Sequence, residues 1–179
     1  MPLFTGRGDG GETDLLGSRV PKDHRRVEVL GALDELNAAL GVVLASMPDG
    51  SESRLLGEVQ NDLFTVGAEL AMAPGESRRL APPLGRPRID GLEGEIRRLE
   101  GEIGRQKAFV LPGGSPAAAQ LHYARAVTRR AERRVVSLAA EEDVNQEILR
   151  YLNRLSTLLH SLALRANQEA GVEERHPFY

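Results

Sequence analysis

A chain of 179 residues has room for one domain with a real hydrophobic core. Hydrophobic residues at 41% and charged residues at 27% match ordinary globular usage, and a net charge of −3 gives no overall attraction to nucleic acid or an anionic membrane. The lack of cysteine removes disulfides, thiolate metal sites and a cysteine nucleophile together.

Residues 1–24 are rich in Gly, Thr, Asp and Arg and carry no sustained apolar period, which predicts an N-terminal glycine-rich loop. The stretch Met1 to Gly11 has no apolar core of the kind that directs secretion, and no segment approaches a transmembrane length, so the cytoplasm is the expected location. Within the loop, Thr5-Gly6-Arg7-Gly8-Asp9-Gly10-Gly11-Glu12-Thr13 has the composition of a phosphate cradle. Glycines let several backbone N–H groups turn toward one anion, while Thr and Arg add donors. The Gly-Lys-Ser/Thr ending of a Walker loop is missing, and a plain flexible terminus has the same composition. The cost of ordering so many glycines predicts disorder before a ligand binds.

Helical periodicity follows, with no convincing alternating strand anywhere. The first helix is predicted from about Arg26 to Met47, with Val27, Leu30, Leu33, Leu36, Leu40 and Leu44 at spacings of three and four. The second runs from about Glu52 to Ala73 on a seam of Leu56, Val59, Leu63, Val66 and Leu70. Pro74, Pro82, Pro83 and Pro87 then predict a connecting loop. The third, from about Ile89 to Arg105, has Ile89, Leu92, Ile96, Leu99 and Ile103 in one stripe. Phe109-Val110-Leu111 leads into Pro112-Gly113-Gly114, and Ser115-Pro116 marks a helix start by a hydroxyl cap followed by proline in the first turn. That helix should reach about Ala140. Asn145 caps the last one, whose stripe is Ile148, Leu152, Leu155, Leu159, Leu162 and Ala166, and Gly171 ends it. The expected fold is all-α: one domain over 1–179, an antiparallel bundle of about five helices.

Some residues are not explained by a core. On the fourth helix, Leu121, Ala124, Thr128, Ala131, Val135 and Leu138 form the apolar face, and His122, Arg125, Arg129, Glu132 and Arg133 form a second stripe beside it. Guanidinium groups in a row repel unless an anion or carboxylates neutralise them; a solvated basic face is the alternative. With aromatics at only 4% and an acidic total charge, nucleic acid is the weaker partner. Asp34 lies in line with Val27, Leu30, Ala38 and Gly41, where a carboxylate either pairs with a cation or reaches solvent from the helix edge. Asn153, Thr157 and His160 form a polar strip beside the leucines of the last helix. The histidines (His24, His122, His160, His176) show no His-x-x-x-His or Glu-x-x-His spacing, which argues against a di-metal bundle, and no Gly-x-Ser-x-Gly is present for hydrolysis.

Seven stretches together resemble the PduO-type ATP:cob(I)alamin adenosyltransferases over almost the whole chain. They are Thr5 to Thr13, Ser18 to Asp23, Gly31 to Asn37, Leu63 to Leu70, Phe109 to Gly114, Arg125 to Arg134, and Tyr151 to Ser156. The order and spacing of all seven carry more weight than any one. The resemblance implies a homotrimer of helix bundles with ATP at the subunit interfaces, and transfer of the 5′-deoxyadenosyl group of ATP to the cobalt of cob(I)alamin, with release of triphosphate. It implies that Thr5, Gly6, Arg7, Gly8, Thr13, Asp14 and Lys22 wrap the triphosphate with Mg²⁺. Arg129, Arg130, Glu132, Arg133 and Asn153 would hold ATP from the helices, with Arg129 acting on the leaving group. Asp34 would pair with Arg125 across the interface, and Phe109 would sit against the lower face of the corrin. The chain departs from the pattern at Gly10, where many members carry Lys, and at Gly6-Arg7, in place of a Lys-Thr or Arg-Thr pair. An adenosylcobalamin-dependent mutase and a corrinoid reductase are the partners such an enzyme would meet. A carrier that binds ATP and corrinoid and delivers adenosylcobalamin to a mutase would share every binding residue, and an assembly factor without activity is a further alternative.

Overall fold

The computed structural model describes residues 4–72, 82–104, 106 and 108–178. The sequence expectations that fall on Ala73, Pro74 and Arg105 lie outside the described residues. Among the described residues there are five helices: α1 (Arg25–Ser46), α2 (Ser51–Leu70), α3 (Arg86–Ile103), α4 (Pro116–Ala139) and α5 (Gln146–Glu169). Each pairing follows from a short connection or a shared apolar face. Helix α4 packs on α5 and on α1, α3 on α5, and α1 on α2. The core is one cluster, with Leu36, Leu40, Leu56, Ile89, Leu121, Leu152 and Leu155 fully buried. Each such side chain contributes about 1.5–3 kcal/mol by leaving water.

The helix ends follow local chemistry. Ser115 Oγ accepts the N–H of Ala118 at 3.3 Å, and Pro116 occupies the first turn. Asn145 Oδ1 accepts the N–H of Glu147 at 3.0 Å, while its Nδ2 donates to Glu69 Oε1 and the Leu84 carbonyl. Gly171, at φ +64°, turns the chain out of α5. Pro87 does not extend the loop as expected. It sits in the first turn of α3, where a missing N–H removes no helical bond.

Three further expectations are corrected. Residues 12–21 form a two-stranded hairpin, β1 (Glu12–Leu15) and β2 (Ser18–Pro21), paired Thr13 with Val20 and Asp14 with Arg19. Its strands are too short to show a period, and Gly17 at φ +88° makes the turn. Arg19 binds across it to Glu12 Oε2 and Asp14 Oδ1, each at 3.0 Å. Second, the buried face of α1 is Val29, Ala32, Leu33, Leu36, Leu40 and Val43, while Val27, Leu30 and Leu44 are half-buried. Third, α1 is long and apolar enough, by length and composition, to cross a membrane. In the bundle that apolarity is divided between the core and a second face that includes the exposed Val42.

Two buried polar groups lock the frame. Arg26 donates to Glu142 Oε2 at 2.7 Å and to the Leu70 and Met72 carbonyls at 2.7 and 2.6 Å, tying α1 to the end of α2 and to the α4–α5 turn. Tyr151 donates to Asp62 Oδ2 at 2.9 Å inside the bundle. Burial raises the Asp62 pKa even though this hydrogen bond opposes the shift.

Candidate functional site

Antiparallel packing of α4 on α5 brings the two polar stripes together. Asn153 Nδ2 donates to Glu132 Oε1 at 3.1 Å, and Arg154 Nη1 donates to Asn153 Oδ1 at 2.7 Å. Further along the same groove the rings of His122 and His160 lie 5.8 Å apart. Thr128 stays inside the core by donating to the Ala124 carbonyl at 2.8 Å.

The arginines of α4 divide by face. Arg130 pairs with Glu35 of α1, and Arg134 with Glu28 at 3.3 Å. Among the described residues, Arg125, Arg129 and Arg133 form no ion pair within the chain. Arg125 is half-buried; desolvation lowers its pKa, and the neighbouring charge of Arg129 lowers it further. Such a row favours an anion.

Beyond Arg125 opens a cavity of about 460 Å³ lined by Gln106, Ala108, Phe109, Val110, His122, Arg125 and His160. Phe109 is 77% exposed, so it is not a core residue despite its size. Its segment is fixed from below. His176 Nδ1 meets the Phe109 carbonyl at 2.7 Å, and Leu111 N–H donates to the Arg175 carbonyl at 2.7 Å. Asn167 then secures the start of α4: its Oδ1 accepts the Ser115 N–H at 2.8 Å, and its Nδ2 donates to the Gly113 carbonyl and Glu174 Oε1. Gly114, at φ +100°, leaves no room for a β-carbon, which would stand 2.2 Å from Asn167 Oδ1. Gln106, Asn167 and His176 were not identified from sequence. The signals that were available are an Asn late in an apolar helix and the Gly-Gly pair it faces.

The N-terminal segment forms its own loop and hairpin. Gly6 at φ +68° and Gly11 at φ +82° allow two successive turns, closed by Asp9 N–H to the Gly6 carbonyl and Gly11 N–H to the Gly8 carbonyl. Thr5 Oγ1 accepts the Arg7 N–H at 3.4 Å, and Arg7 lies 3.5 Å from Asp14. Gly8 sits under the Lys22 ammonium, so that Thr5, Arg7, Thr13, Asp14 and Lys22 share one small loop and hairpin. Leu16 joins this unit to α2 through its N–H to the Ala71 carbonyl. Asp34 is near it: Leu16, Leu30, Asp34, Leu63 and Phe64 line one open apolar cavity of about 360 Å³. No hydrogen bond or ion pair among the described residues joins residues 5–22 to Arg129, Arg133 or Asn153, or Asp34 to Arg125. The expected site residues thus form two groups that no bond among the described residues joins.

Comparison with known proteins bears on the family. The family model for cobalamin adenosyltransferase matches residues 3–166. The chain is 42% identical over 171 residues to the corrinoid adenosyltransferase PduO of Salmonella typhimurium, covering 95% of this chain and 51% of that one. It thus spans about half the length of that relative. A corrinoid adenosyltransferase of Bacillus subtilis is 40% identical over 177 residues, covering 96% of this chain and 90% of that one. In structure, a phenylalanine-to-alanine variant of a PduO-type ATP:corrinoid adenosyltransferase from Lactobacillus reuteri, complexed with cobalamin and ATP, superposes with a TM-score of 0.92. It is 33% identical and covers 99% of this chain and 100% of that one. An arginine-to-lysine variant of a PduO-type enzyme from Lactobacillus reuteri, complexed with ATP, gives 0.91 at 32% identity, over 99% and 100% of the two chains. The fold, the coverage and the identity agree, and the chain belongs to the cobalamin adenosyltransferase family.

Proposed function

We propose that this chain transfers the 5′-deoxyadenosyl group of ATP to the cobalt of a reduced corrinoid and releases triphosphate. The observation that carries this reading is the α4 face, where Arg125, Arg129 and Arg133 pair with no carboxylate among the described residues and Arg125 lines the Phe109 cavity. Cobalt(I) is itself a strong nucleophile. It attacks the 5′-carbon as the bond from that carbon to the triphosphate oxygen breaks, and the electron pair leaves with the triphosphate. No side-chain base is required. The protein must align cobalt with carbon and stabilise charge on the leaving group.

Arg129, with Arg133, Glu132 and Asn153, serves the nucleotide from the α4–α5 groove, and Arg129 faces the leaving group. Arg130 joins them by exchanging Glu35 for phosphate. Thr5, Gly6, Arg7, Gly8, Thr13, Asp14 and Lys22 wrap the triphosphate from a second copy. The lack of any bond between the two groups among the described residues supports that division. Among the described residues Asp34 and Arg125 likewise form no bond with each other, which supports their pairing between copies of a homotrimer. The exposed Phe64 and Val42 lie on the apolar surface that such an interface would cover. Mg²⁺ would enter as a cation carried by the phosphates, where it neutralises developing charge.

Phe109 stands at the lower face of the corrin. An apolar ring there excludes an axial ligand, which makes cobalt(II) easier to reduce. Cytoplasmic location, with a reductase upstream and an adenosylcobalamin-dependent mutase downstream, completes the reading. The test supplies ATP and chemically reduced cobalamin, and follows adenosylcobalamin by absorbance and triphosphate by chromatography. Equimolar formation of both is the expected result. Tight binding of both substrates without turnover would instead identify a carrier.

A further inference from the structure

Four buried polar atoms around the Phe109 cavity have no partner among the described residues: Nδ1 and Nε2 of His122, Nδ1 of His160 and Nε of Arg125. Buried polar groups are nearly always hydrogen-bonded, and four orphans in one place point to a ligand. His122 is only 3% exposed, so bulk water does not serve it. The remaining polar contact in the cluster is His160 Nε2 with Gln106 Oε1 at 2.8 Å. With the amide oxygen accepting, Nε2 carries the ring proton and Nδ1 is left as an acceptor. Burial, followed by the charge of Arg125, lowers the pKa of both imidazoles, so they are neutral near pH 7. The cavity wall thus offers a guanidinium donor, an imidazole acceptor and a second imidazole able to act as either.

A primary carboxamide both donates and accepts, and so matches this mixed set. A carboxylate or phosphate only accepts. It would satisfy Arg125 but set an oxygen lone pair against the His160 acceptor. A metal cation is disfavoured by the adjacent Arg125. Corrinoid rings carry primary carboxamides around their rim, and Phe109 places that rim at this wall if the ring lies as proposed above.

We propose that His122, His160 and the Nε of Arg125, whose terminal nitrogens are left to Asp34 of a second copy, bind a carboxamide side chain of the corrinoid and make the site select amidated rings over their carboxylic acid forms. This assignment rests on the corrinoid reading of the same cavity. The test measures equilibrium binding of cob(II)alamin and of its amide-hydrolysed monocarboxylic acids to the ATP-loaded protein. The wild type should bind cob(II)alamin at least about tenfold tighter than one of the acids, the scale on which a lost hydrogen-bond partner discriminates. His160→Phe should reduce that preference below about twofold, while His160→Gln, which keeps an amide acceptor, should retain most of it. A thermal melt of each variant controls for folding, and the wild-type preference is read without any variant. Equal affinity of the wild type for amide and acids, or an unchanged preference in folded His160→Phe, would overturn the assignment and leave the corrinoid reading intact. Failure of the wild type to bind either ring would overturn that reading and this assignment with it.

Discussion

Helix α4 carries arginines on two faces and treats them differently. Toward α1, Arg130 and Arg134 meet Glu35 and Glu28 of the same chain. Toward α5, Arg125, Arg129 and Arg133 stand in a row with no carboxylate partner among the described residues, although Glu132 lies among them and is engaged by Asn153. Composition does not separate the two sets. What separates them is the helix opposite: α1 presents acids, whereas α5 presents amide, hydroxyl and imidazole groups. Charge that a fold leaves uncompensated is available to a ligand or to another chain.

The sharpest way to break this comparison is to reverse charge at Arg125 and Asp34. If they meet between copies, Asp34→Arg or Arg125→Asp leaves an uncompensated, partly buried charge, costing roughly 3–5 kcal/mol of assembly. ATP binding should weaken with it, and the double exchange should recover part of the loss. Sizing and ATP titration of the three variants check this; strict additivity would mean that the residues do not touch. Next in size, Arg129→Ala should slow turnover by about two to three orders of magnitude, on the order of 3–4 kcal/mol, as for one preorganised donor to developing charge. Near-normal turnover at saturating ATP would remove Arg129 from the reaction.

Phe109→Ala should keep ATP binding and slow adenosylation about tenfold, near 1.4 kcal/mol of barrier. Spectra of cobalt(II) with ATP should lose any four-coordinate signal. The compensated face gives the small effects. Arg134→Ala removes an exposed pair worth about 0.2–1 kcal/mol and should leave kcat within a few-fold. Arg130 belongs to the neutralised set by geometry and to the ATP set by resemblance, so kinetics of Arg130→Ala should fall between Arg129→Ala and Arg134→Ala. A value matching Arg134→Ala would make it purely structural.

The histidine pair gives a last test, through pH. Burial depresses the folded-state pKa of His122 and His160, with Arg125 adding to both, His122 adding to His160, and Glu174 opposing at His160. Depressed values mean that the unfolded chain binds protons first. The stabilisation is present above the usual pKa of 6.5 and is lost as pH falls below it toward the folded values. Thermal melts between pH 8 and pH 5 should show this decline, and replacing both imidazoles with Gln should flatten it.

Much of the frame was legible because capping is local. Ser115-Pro116, Asn145 and Gly171 mark helix ends by chemistry within a few residues. The buried face of α1 was harder. Val27, Val29, Leu30, Leu33, Leu36, Leu40, Val42, Val43 and Leu44 surround most of the helix, so periodicity alone does not choose which of them enter the core. The hairpin escaped notice because Arg19 reaches Glu12 and Asp14 across strands of four residues, a relation that no repeat announces. At the site, residue types were readable on α4, where spacing of three and four puts Arg125 beside Arg129. Gln106 and His160 were not readable as partners, since a tertiary contact joins positions on different elements.

The C-terminal tail runs directly beneath the Phe109 segment, with Arg175 and His176 bonded to Leu111 and Phe109 and with Glu174 held by Asn167. A peptide tag or a further domain fused after this tail would begin within a few residues of the cavity mouth. A rigid fusion after this tail would act as a steric gate on a bulky ring, and the length of the linker would set how far the gate opens.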